Sequence, residues 1–240
     1  MTQHHLQGRN DTELLWFQRR SFLQAAATWT AMGSMAGALA QSRSNIVELV
    51  GDATVNGQKL MPQHSVQSGD EIVTGPGSTL IFVIGNSAFH MRQNTSMVAE
   101  RGTSITAVSL LRLLTGAVVS VWGKGSNRQI VTPTLTAGIR GTGVYTEMFA
   151  NQNGARTYFC NCYGVVDLAA GSDREVSEST YHQAVWGEAA LDGRSALTPA
   201  RAINHTDEEL ENLARLIGER TAWQISGKKG NKGDNYGFIG

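Results

Sequence analysis

Proline and cysteine are scarce in this chain, and its formal net charge is zero. Its 240 residues include 4 prolines and 2 cysteines, and 20 basic side chains balance 20 acidic ones. Two cysteines exclude a small scaffold stapled by disulfides, although they allow one bridge or one metal site. The balanced charge gives no electrostatic reason to expect nucleic acid or an anionic membrane as a partner. Glycine is abundant, at 27 residues, and it suits many tight turns between short strands.

A long, strongly apolar run is also missing. Residues 25–40 are rich in Ala, Gly, Thr and Ser, and they fall short of the about 20 strongly apolar residues that span a bilayer. The pair Arg19 and Arg20 precedes this run, and Ala38 and Ala40 form the small-x-small pattern that signal peptidase requires. The arrangement resembles a twin-arginine export signal. We expect cleavage after Ala40 and a periplasmic mature protein, with a retained membrane anchor as the alternative.

The next part of the chain predicts short antiparallel strands. Asn56-Gly57 is a strong hairpin signal because both central positions of the turn favour positive φ. Residues 78–84 are apolar enough for a strand that is buried on both faces. The leucines of 110–114 have a helix-like spacing, but the β-branched and aromatic residues of 118–122 favour a strand pair. The sequence therefore predicts an all-β fold, either an antiparallel β-sandwich or a solenoid-like twisted β-roll.

The most distinctive stretch is I-V-T-P-T-L-T-A-G-I-R-G-T-G-V-Y-T-E, residues 130–147. It reads as a strand, a tight corner and a second strand. The corner consists of Arg140, Gly141, Thr142 and Gly143. Glycine amides beside an arginine also permit phosphate binding, but the lysine and the following helix of a P-loop are missing. We expect a buried turn in which Arg140 pairs with backbone or with a carboxylate.

Together with Gly69-Asp70 before one strand and Gly75-Pro76-Gly77-Ser78 before the next, this corner resembles the end of a FecR domain, a periplasmic β module named after the ferric-dicitrate sensor. The resemblance extends over 47–166, with Gly85-Asn86 where the family usually has Asp-Gly. It implies a sensor or binding module without catalysis, whose partner is an envelope protein or ligand. The family relays its signal to a sigma factor through a cytoplasmic segment and a membrane span. Cleavage at the predicted signal would remove both, so we do not expect direct contact with a sigma factor.

The C-terminal part is more polar and predicts one amphipathic helix. Thr206 and Glu209 have the spacing of a capping box, and the apolar residues that follow share one face. The acidic run from Asp173 to Glu178 is typical of a solvated loop. The predicted organisation is a signal peptide (1–40), a β domain (45–168), an appendage (169–226) with a helix near 207–217, and a flexible tail (227–240).

Cys160-Asn161-Cys162 is the first candidate site. In a strand both sulfurs leave the same face, and the two Cα atoms lie about 6.6 Å apart, at the upper edge of disulfide geometry. Three interpretations stay open: a soft metal bound by two thiolates, a strained or redox-active disulfide, and reduced structural cysteines. Tyr158 and Tyr163 flank the pair and offer phenol oxygens as ligands, although such residues more often pack.

His182 and His205 lie downstream, where a loop and a helix start can fold back over the cysteine strand. With Cys160 and Cys162 they would form a two-cysteine, two-histidine set that suits zinc, or another transition metal such as copper or iron. For His205 the alternative is a position before the helix cap that only packs or faces water. The resemblance to a twin-arginine signal implies that the protein crosses the membrane already folded. Many proteins exported in this way carry a metal or cofactor that was loaded beforehand.

Three classes of function follow from these patterns. The first is the exported sensor or binding module that the FecR resemblance implies. The second is a metal-handling or redox protein that uses the cysteine pair. The third is an envelope scaffold that binds polysaccharide on exposed aromatics such as Trp122 and Trp186. No nucleophile elbow, zincin motif or carboxylate pair is present, so we do not expect an enzyme.

Overall fold

The structure is a computed structural model that describes residues 44–102, 107–125, 128–151, 154–189 and 194–230. The predicted export signal, with Arg19, Arg20, Ala38 and Ala40, lies outside the described residues. So does the predicted tail from residue 231 onward.

Within the described residues the chain forms sixteen strands and two short helices. The strands are β1 (Ile46–Val50), β2 (Ala53–Val55), β3 (Gln58–Lys59), β4 (Glu71–Thr74), β5 (Thr79–Ile84), β6 (Ser87–Met91), β7 (Ser96–Arg101), β8 (Val108–Thr115), β9 (Ala117–Trp122), β10 (Arg128–Val131), β11 (Thr136–Ile139), β12 (Gly143–Asn151), β13 (Gly154–Ala170), β14 (Asp173–Ser179), β15 (Gln183–Glu188) and β16 (Leu197–Ala200). The helices are α1 (Asp207–Leu216) and α2 (Ala222–Ser226).

The strands form two sheets that share β13. Sheet A has the order β1-β5-β6-β9-β12-β13-β15-β16, and sheet B has the order β3-β2-β4-β7-β8-β10-β11-β13-β14. All neighbours are antiparallel except β8 and β10. The first part of β13 pairs with β12 and β15, and its last part, from Gly164, pairs with β11 and β14. Gly164 lies where the strand passes between the sheets, with φ of 103°, and an added Cβ would lie 2.6 Å from Cβ of Thr142.

The inner faces of the two sheets share one apolar core. Alternate residues of each strand point into it, as Leu80, Phe82 and Ile84 do in β5. Phe89 lies at its centre and contacts Phe82 and Trp122, with ring centroids 5.1 and 5.2 Å apart. Burial of one such side chain stabilises the fold by about 1.5–3 kcal/mol. The predicted all-β fold is therefore confirmed.

The outer face of sheet A carries a second row of buried side chains. In register across six strands lie Ile81, His90, Val119, Tyr145, Cys160 and Ala184. Each is no more than 1% exposed. Helix α1 covers part of this face and contacts β6, β9 and β12. A sheet with one solvated face would alternate apolar and polar residues, so this row requires the C-terminal residues as its cover.

Helix α1 begins with the predicted capping box, in which the Thr206 hydroxyl accepts from the amide of Glu209 and the Glu209 carboxylate accepts from the amide of Thr206. Its apolar stripe, Leu210, Leu213 and Ala214, is fully buried. The amphipathic helix near 207–217 is therefore confirmed.

Helix α2 was not expected from the sequence. Thr221 and Gln224 form a second capping box at its start, so the same spacing rule would have found it. None of the described helices combines the length and apolarity needed to cross a membrane.

Strands continue after residue 168, where the predicted β domain ends. β14 and β15 both pair with β13, and β16 pairs with β15. The acidic run from Asp173 to Glu178 is therefore an edge strand of sheet B rather than a loop. Its pairing with the end of β13 outweighs the low strand propensity of acidic residues.

Candidate metal centre

Four donor atoms from distant parts of the chain lie close together on the outer face of sheet A, beneath the C-terminal residues. Sγ of Cys160 and Sγ of Cys162 are 3.7 Å apart. Nδ1 of His182 is 3.7 Å from the Cys160 sulfur, and Nε2 of His205 is 3.4 Å from the Cys162 sulfur. The two nitrogens are 3.0 Å apart. All four atoms lie within 4.8 Å of one another, and all four residues are buried.

Three elements position these side chains. Cys160 and Cys162 alternate with Asn161 on β13, so that their sulfurs leave the same face of sheet A. His182 occupies the turn between β14 and β15 with φ of 44°, and its amide donates to the carbonyl of Cys162 at 2.9 Å. His205 directly precedes the N-cap of α1. The strand, the turn and the helix start thus converge on one point.

In each histidine, the ring nitrogen that faces away from the sulfurs forms a hydrogen bond, and this bond determines the tautomer. Nδ1 of His205 lies 2.6 Å from the carbonyl oxygen of Ile203, which can only accept, so this nitrogen carries the proton. Nε2 of His182 lies 2.9 Å from the carboxylate of Asp207, so it also donates. In the neutral rings the remaining nitrogens therefore direct their lone pairs at each other and at the sulfurs. A carboxylate or carbonyl behind the imidazole is the usual support of a metal-binding histidine.

Four of the six distances between donor atoms are close to those around a tetrahedral ion. With Zn–S near 2.3 Å and Zn–N near 2.05 Å, ideal edges are about 3.8 Å for S···S, about 3.3 Å for N···N and about 3.6 Å for S···N. The sulfur pair at 3.7 Å and the two S···N distances of 3.7 and 3.4 Å agree with these edges. The nitrogen pair, at 3.0 Å, is slightly short. A two-sulfur, two-nitrogen set of this shape is typical of zinc.

Asp207 links the centre to the surrounding residues. Its carboxylate accepts from His182, from the Tyr181 hydroxyl at 3.0 Å and from Nζ of Lys229 at 2.8 Å. Burial lowers the pKa of Lys229, but the bond to Asp207 outweighs it and holds that pKa above its ordinary value. The sequence patterns did not identify Asp207 as part of a site. The one signal that could have revealed it is its position two residues after a candidate ligand, His205.

Aromatic rings enclose both imidazoles. Tyr145 stacks on His205 at 4.8 Å between centroids, and Trp223 stacks on His182 at 5.4 Å. Tyr181 meets His182 edge-on at 4.6 Å. These rings fix the imidazole planes and exclude water, which strengthens electrostatic interactions inside the centre.

Cys160 has the electrostatics of a metal ligand. Burial alone would raise the pKa of its thiol, yet hydrogen bonding from Cys162 and, when their rings are protonated, the proximity of His205 and His182 lower that pKa well below its usual range. The thiolate is the form that binds metal. No disulfide joins Cys160 and Cys162 in the structure.

The flanking tyrosines are not ligands. The Tyr158 hydroxyl donates to the carbonyl of Arg201 at 2.8 Å and accepts from the amide of Ile203 at 3.0 Å. Burial, followed by the charge of the nearby cysteines, raises the pKa of Tyr158 and of Tyr163. Both therefore stay neutral phenols, and Tyr158 holds the segment that carries His205 against the sheet.

The glycine-rich corner supports the cysteine strand from the side. Thr142 is buried, and its hydroxyl donates to the carbonyl of Tyr163. Gly141 has φ of 82°, whereas at Gly143 an added Cβ would lie 2.3 Å from the Tyr163 ring. Arg140 points away and forms an exposed pair with Asp167 at 2.7 Å. The corner is thus a packing feature beside the centre, and its arginine is engaged by a carboxylate.

The proposed aromatic platform for polysaccharide is not present at the two tryptophans. Trp122 is 2% exposed and lies in the core. Trp186 is half-buried, and the guanidinium of Arg156 covers its ring at 3.9 Å. A stacking surface for sugars needs an open ring face, so this expectation was wrong for Trp122. At Trp186 the guanidinium of Arg156 occupies the ring face on which a sugar would stack.

Comparison with known proteins finds distant matches among solved structures. No family model and no curated protein matches the chain. Two crystal structures of a "putative anti-sigma factor" from Parabacteroides distasonis resemble it with a TM-score of 0.42 and 11% sequence identity. The match covers 55% of this chain, which spans 60% of the length of those proteins.

Proposed function

We propose that the protein is a non-catalytic β module that holds one zinc ion, or a similar transition metal, through Cys160, Cys162, His182 and His205. The observation that carries the proposal is the orientation of the histidines. Each ring donates its proton outward and turns its lone pair toward two buried sulfurs. Two thiolates would neutralise a divalent cation, which offsets the cost of burying charge in an apolar enclosure.

A structural rather than catalytic role suits this centre. All four donors come from the protein, and the four residues are buried. Catalytic zinc sites keep one position open for water or substrate. Here the rings of Tyr145 and Trp223 cover the histidines, which leaves no approach for a substrate on those sides.

The test is the metal content of the full chain, measured by inductively coupled plasma mass spectrometry after purification without chelators. We expect about one metal ion per chain in the wild type and loss of most of it in Cys160→Ser/Cys162→Ser. His64→Ala is the matched control, because His64 is exposed and its ring accepts a bond from the amide of Met61, far from the four donors in the chain. Wild-type protein that neither retains metal nor takes up added Zn²⁺ would contradict the proposal.

We further propose that the module acts in the periplasm, as a sensor or binding module for an envelope protein or ligand. Its support is the FecR resemblance of residues 47–166 and the export pattern around Arg19 and Arg20. Folded export would allow the centre to be loaded in the reducing cytoplasm. The metal would then protect both thiols in an oxidising compartment.

Cell fractionation tests this location. The wild-type chain should appear in the periplasm without residues 1–40, whereas Arg19→Lys/Arg20→Lys should stay in the cytoplasm at full length. The control is Arg9→Lys, which changes a neighbouring arginine outside the pair. Equal export of both variants would show that the twin arginines do not direct the protein.

A further inference from the structure

We propose that the metal centre controls whether the C-terminal segment, residues 201–230, is docked on the outer face of sheet A. This inference rests on the metal binding proposed above. It assigns to the metal a regulatory role over a specific part of the fold.

The first argument is the division of the ligands. Cys160 and Cys162 belong to β13, and His182 lies in the turn that leads into β15, which pairs with β13. The sheets and the turn between β14 and β15 hold the backbone of these three ligands. Only His205 comes from the C-terminal segment, so a four-coordinate metal requires that segment in its docked position.

The second argument is that the supports of the centre also belong to this segment. Asp207, the first residue of α1, orients His182, and Trp223 of α2 stacks on the same ring. Lys229 bonds Asp207. Docking therefore completes both the ligand set and its supporting contacts. By thermodynamic linkage, whatever favours docking must raise metal affinity, and the metal must favour docking to the same extent.

The third argument is the weakness of the segment on its own. α1 has ten residues, and isolated helices shorter than about 12–15 residues are marginal in water. An undocked α1 would therefore lose its helical hydrogen bonds. Without metal the docked state depends on buried apolar side chains such as Leu210 and Leu213, on the two hydrogen bonds of the Tyr158 hydroxyl, and on the pair between Glu209 and Arg92.

Hydrogen–deuterium exchange with mass spectrometry measures docking directly. The full chain is compared with bound Zn²⁺, after removal of Zn²⁺ by a chelator, and after Zn²⁺ is added back. We expect amides of 207–226 to exchange at least about tenfold faster without metal, because their protection then reflects local opening. Peptides of β4 and β7, which belong to sheet B and do not lie under α1, should not change, and added Zn²⁺ should restore the slow exchange.

A second experiment weakens docking by a substitution and measures the effect on Zn²⁺ affinity. Leu213→Asp places a carboxylate on the buried stripe without touching a ligand. It should undock α1 and weaken Zn²⁺ affinity at least about tenfold in a competition assay with a chromophoric chelator, as reciprocal coupling requires. Ile225→Asp is the matched control, because Ile225 lies in the same segment and is 69% exposed.

The outcomes separate the two proposals. Full protection of 207–226 after verified metal removal would overturn the inference and leave the metal centre intact as a proposal. Absence of stoichiometric metal in the wild type would overturn both. If circular dichroism shows that Leu213→Asp does not fold, the comparison of wild-type protein with and without Zn²⁺ decides alone.

Discussion

Nδ1 of His182 and Nε2 of His205 face each other at 3.0 Å, although 23 positions separate the residues in the chain. Two neutral imidazoles with lone pairs in this relation repel unless a cation or a proton lies between them. The outward hydrogen bonds, to Asp207 and to the carbonyl of Ile203, favour this orientation of both rings. Four predictions follow from the centre and its surroundings.

Loss of the Asp207 carboxylate should weaken metal binding without removing a ligand. Asp207→Ala leaves Nε2 of His182 without its acceptor, and changes of this kind typically reduce metal affinity about 10–100-fold. Chelator competition for Zn²⁺ measures the effect. Glu208→Gln is the control, because it removes an exposed negative charge from the neighbouring position. Equal affinities in the two variants would mean that Asp207 does not support the centre.

Metal removal should lower thermal stability. At a free Zn²⁺ concentration of about 1,000 times Kd, binding to the folded state alone stabilises it by about 4 kcal/mol. For a domain of this size that corresponds to a fall in Tm of about 8–16 °C when the metal is removed. Differential scanning calorimetry with and without chelator checks it, and Cys160→Ser/Cys162→Ser should show no chelator effect. An unchanged Tm after verified loss of metal would contradict this prediction.

Gly143→Ala should destabilise the fold more than an ordinary glycine substitution. The added methyl group would lie 2.3 Å from the Tyr163 ring and 3.0 Å from Leu210, so the cysteine strand or α1 must move. Such overpacking costs about 1–3 kcal/mol. Chemical denaturation measures the free energy of unfolding, and Gly75→Ala serves as comparison because its nearest atom is 3.4 Å away. The prediction fails if both variants unfold at the same denaturant concentration.

At low pH, Ser195 and Ala196, which lie just before β16, should lose their hydrogen bonds to the Asp173 carboxylate of β14. Bonds from Ser195 and from the amides of Leu197 and Ala196 lower the pKa of Asp173 below its ordinary value. A depressed pKa contributes stability that is present above the ordinary value, about 4, and is lost as pH falls through the folded value. The protection of the Ala196 amide, measured relative to its intrinsic exchange rate at each pH, should therefore fall only below about pH 4. The variant Asp173→Asn should show low protection already at neutral pH and no further loss of protection on acidification.

Sequence patterns located much of the fold because local rules and burial agree there. The alternation in β5 and the capping box of α1 were sufficient for those elements. Cys160 and Cys162 could be placed on one face because strand geometry is local. The acidic residues of β14 indicate a loop when only the local sequence is considered, because nothing local shows that β13 extends far enough to pair with them.

The completed centre was harder to predict, for a physical reason. Its assembly depends on where a turn and a helix start fold back, which is a tertiary property. His205 precedes a cap, and its sequence neighbours equally permit a solvent-facing side chain; stacking on Tyr145 from a different strand removes that possibility. Trp122 was misjudged similarly, because its β-rich surroundings do not reveal which face of β9 is the core.

The strand shared by the two sheets has a consequence for biogenesis. Before β13 is synthesised, β12 has a partner only in β9 and β11 only in β10, so each sheet presents an unpaired edge. Exposed edges of this kind promote aggregation. A chain that stops before Gly154 should therefore be insoluble, whereas addition of β13 closes both edges with a single segment. We therefore expect the N-terminal strands to become soluble only after β13, the strand that carries the cysteines, has been synthesised.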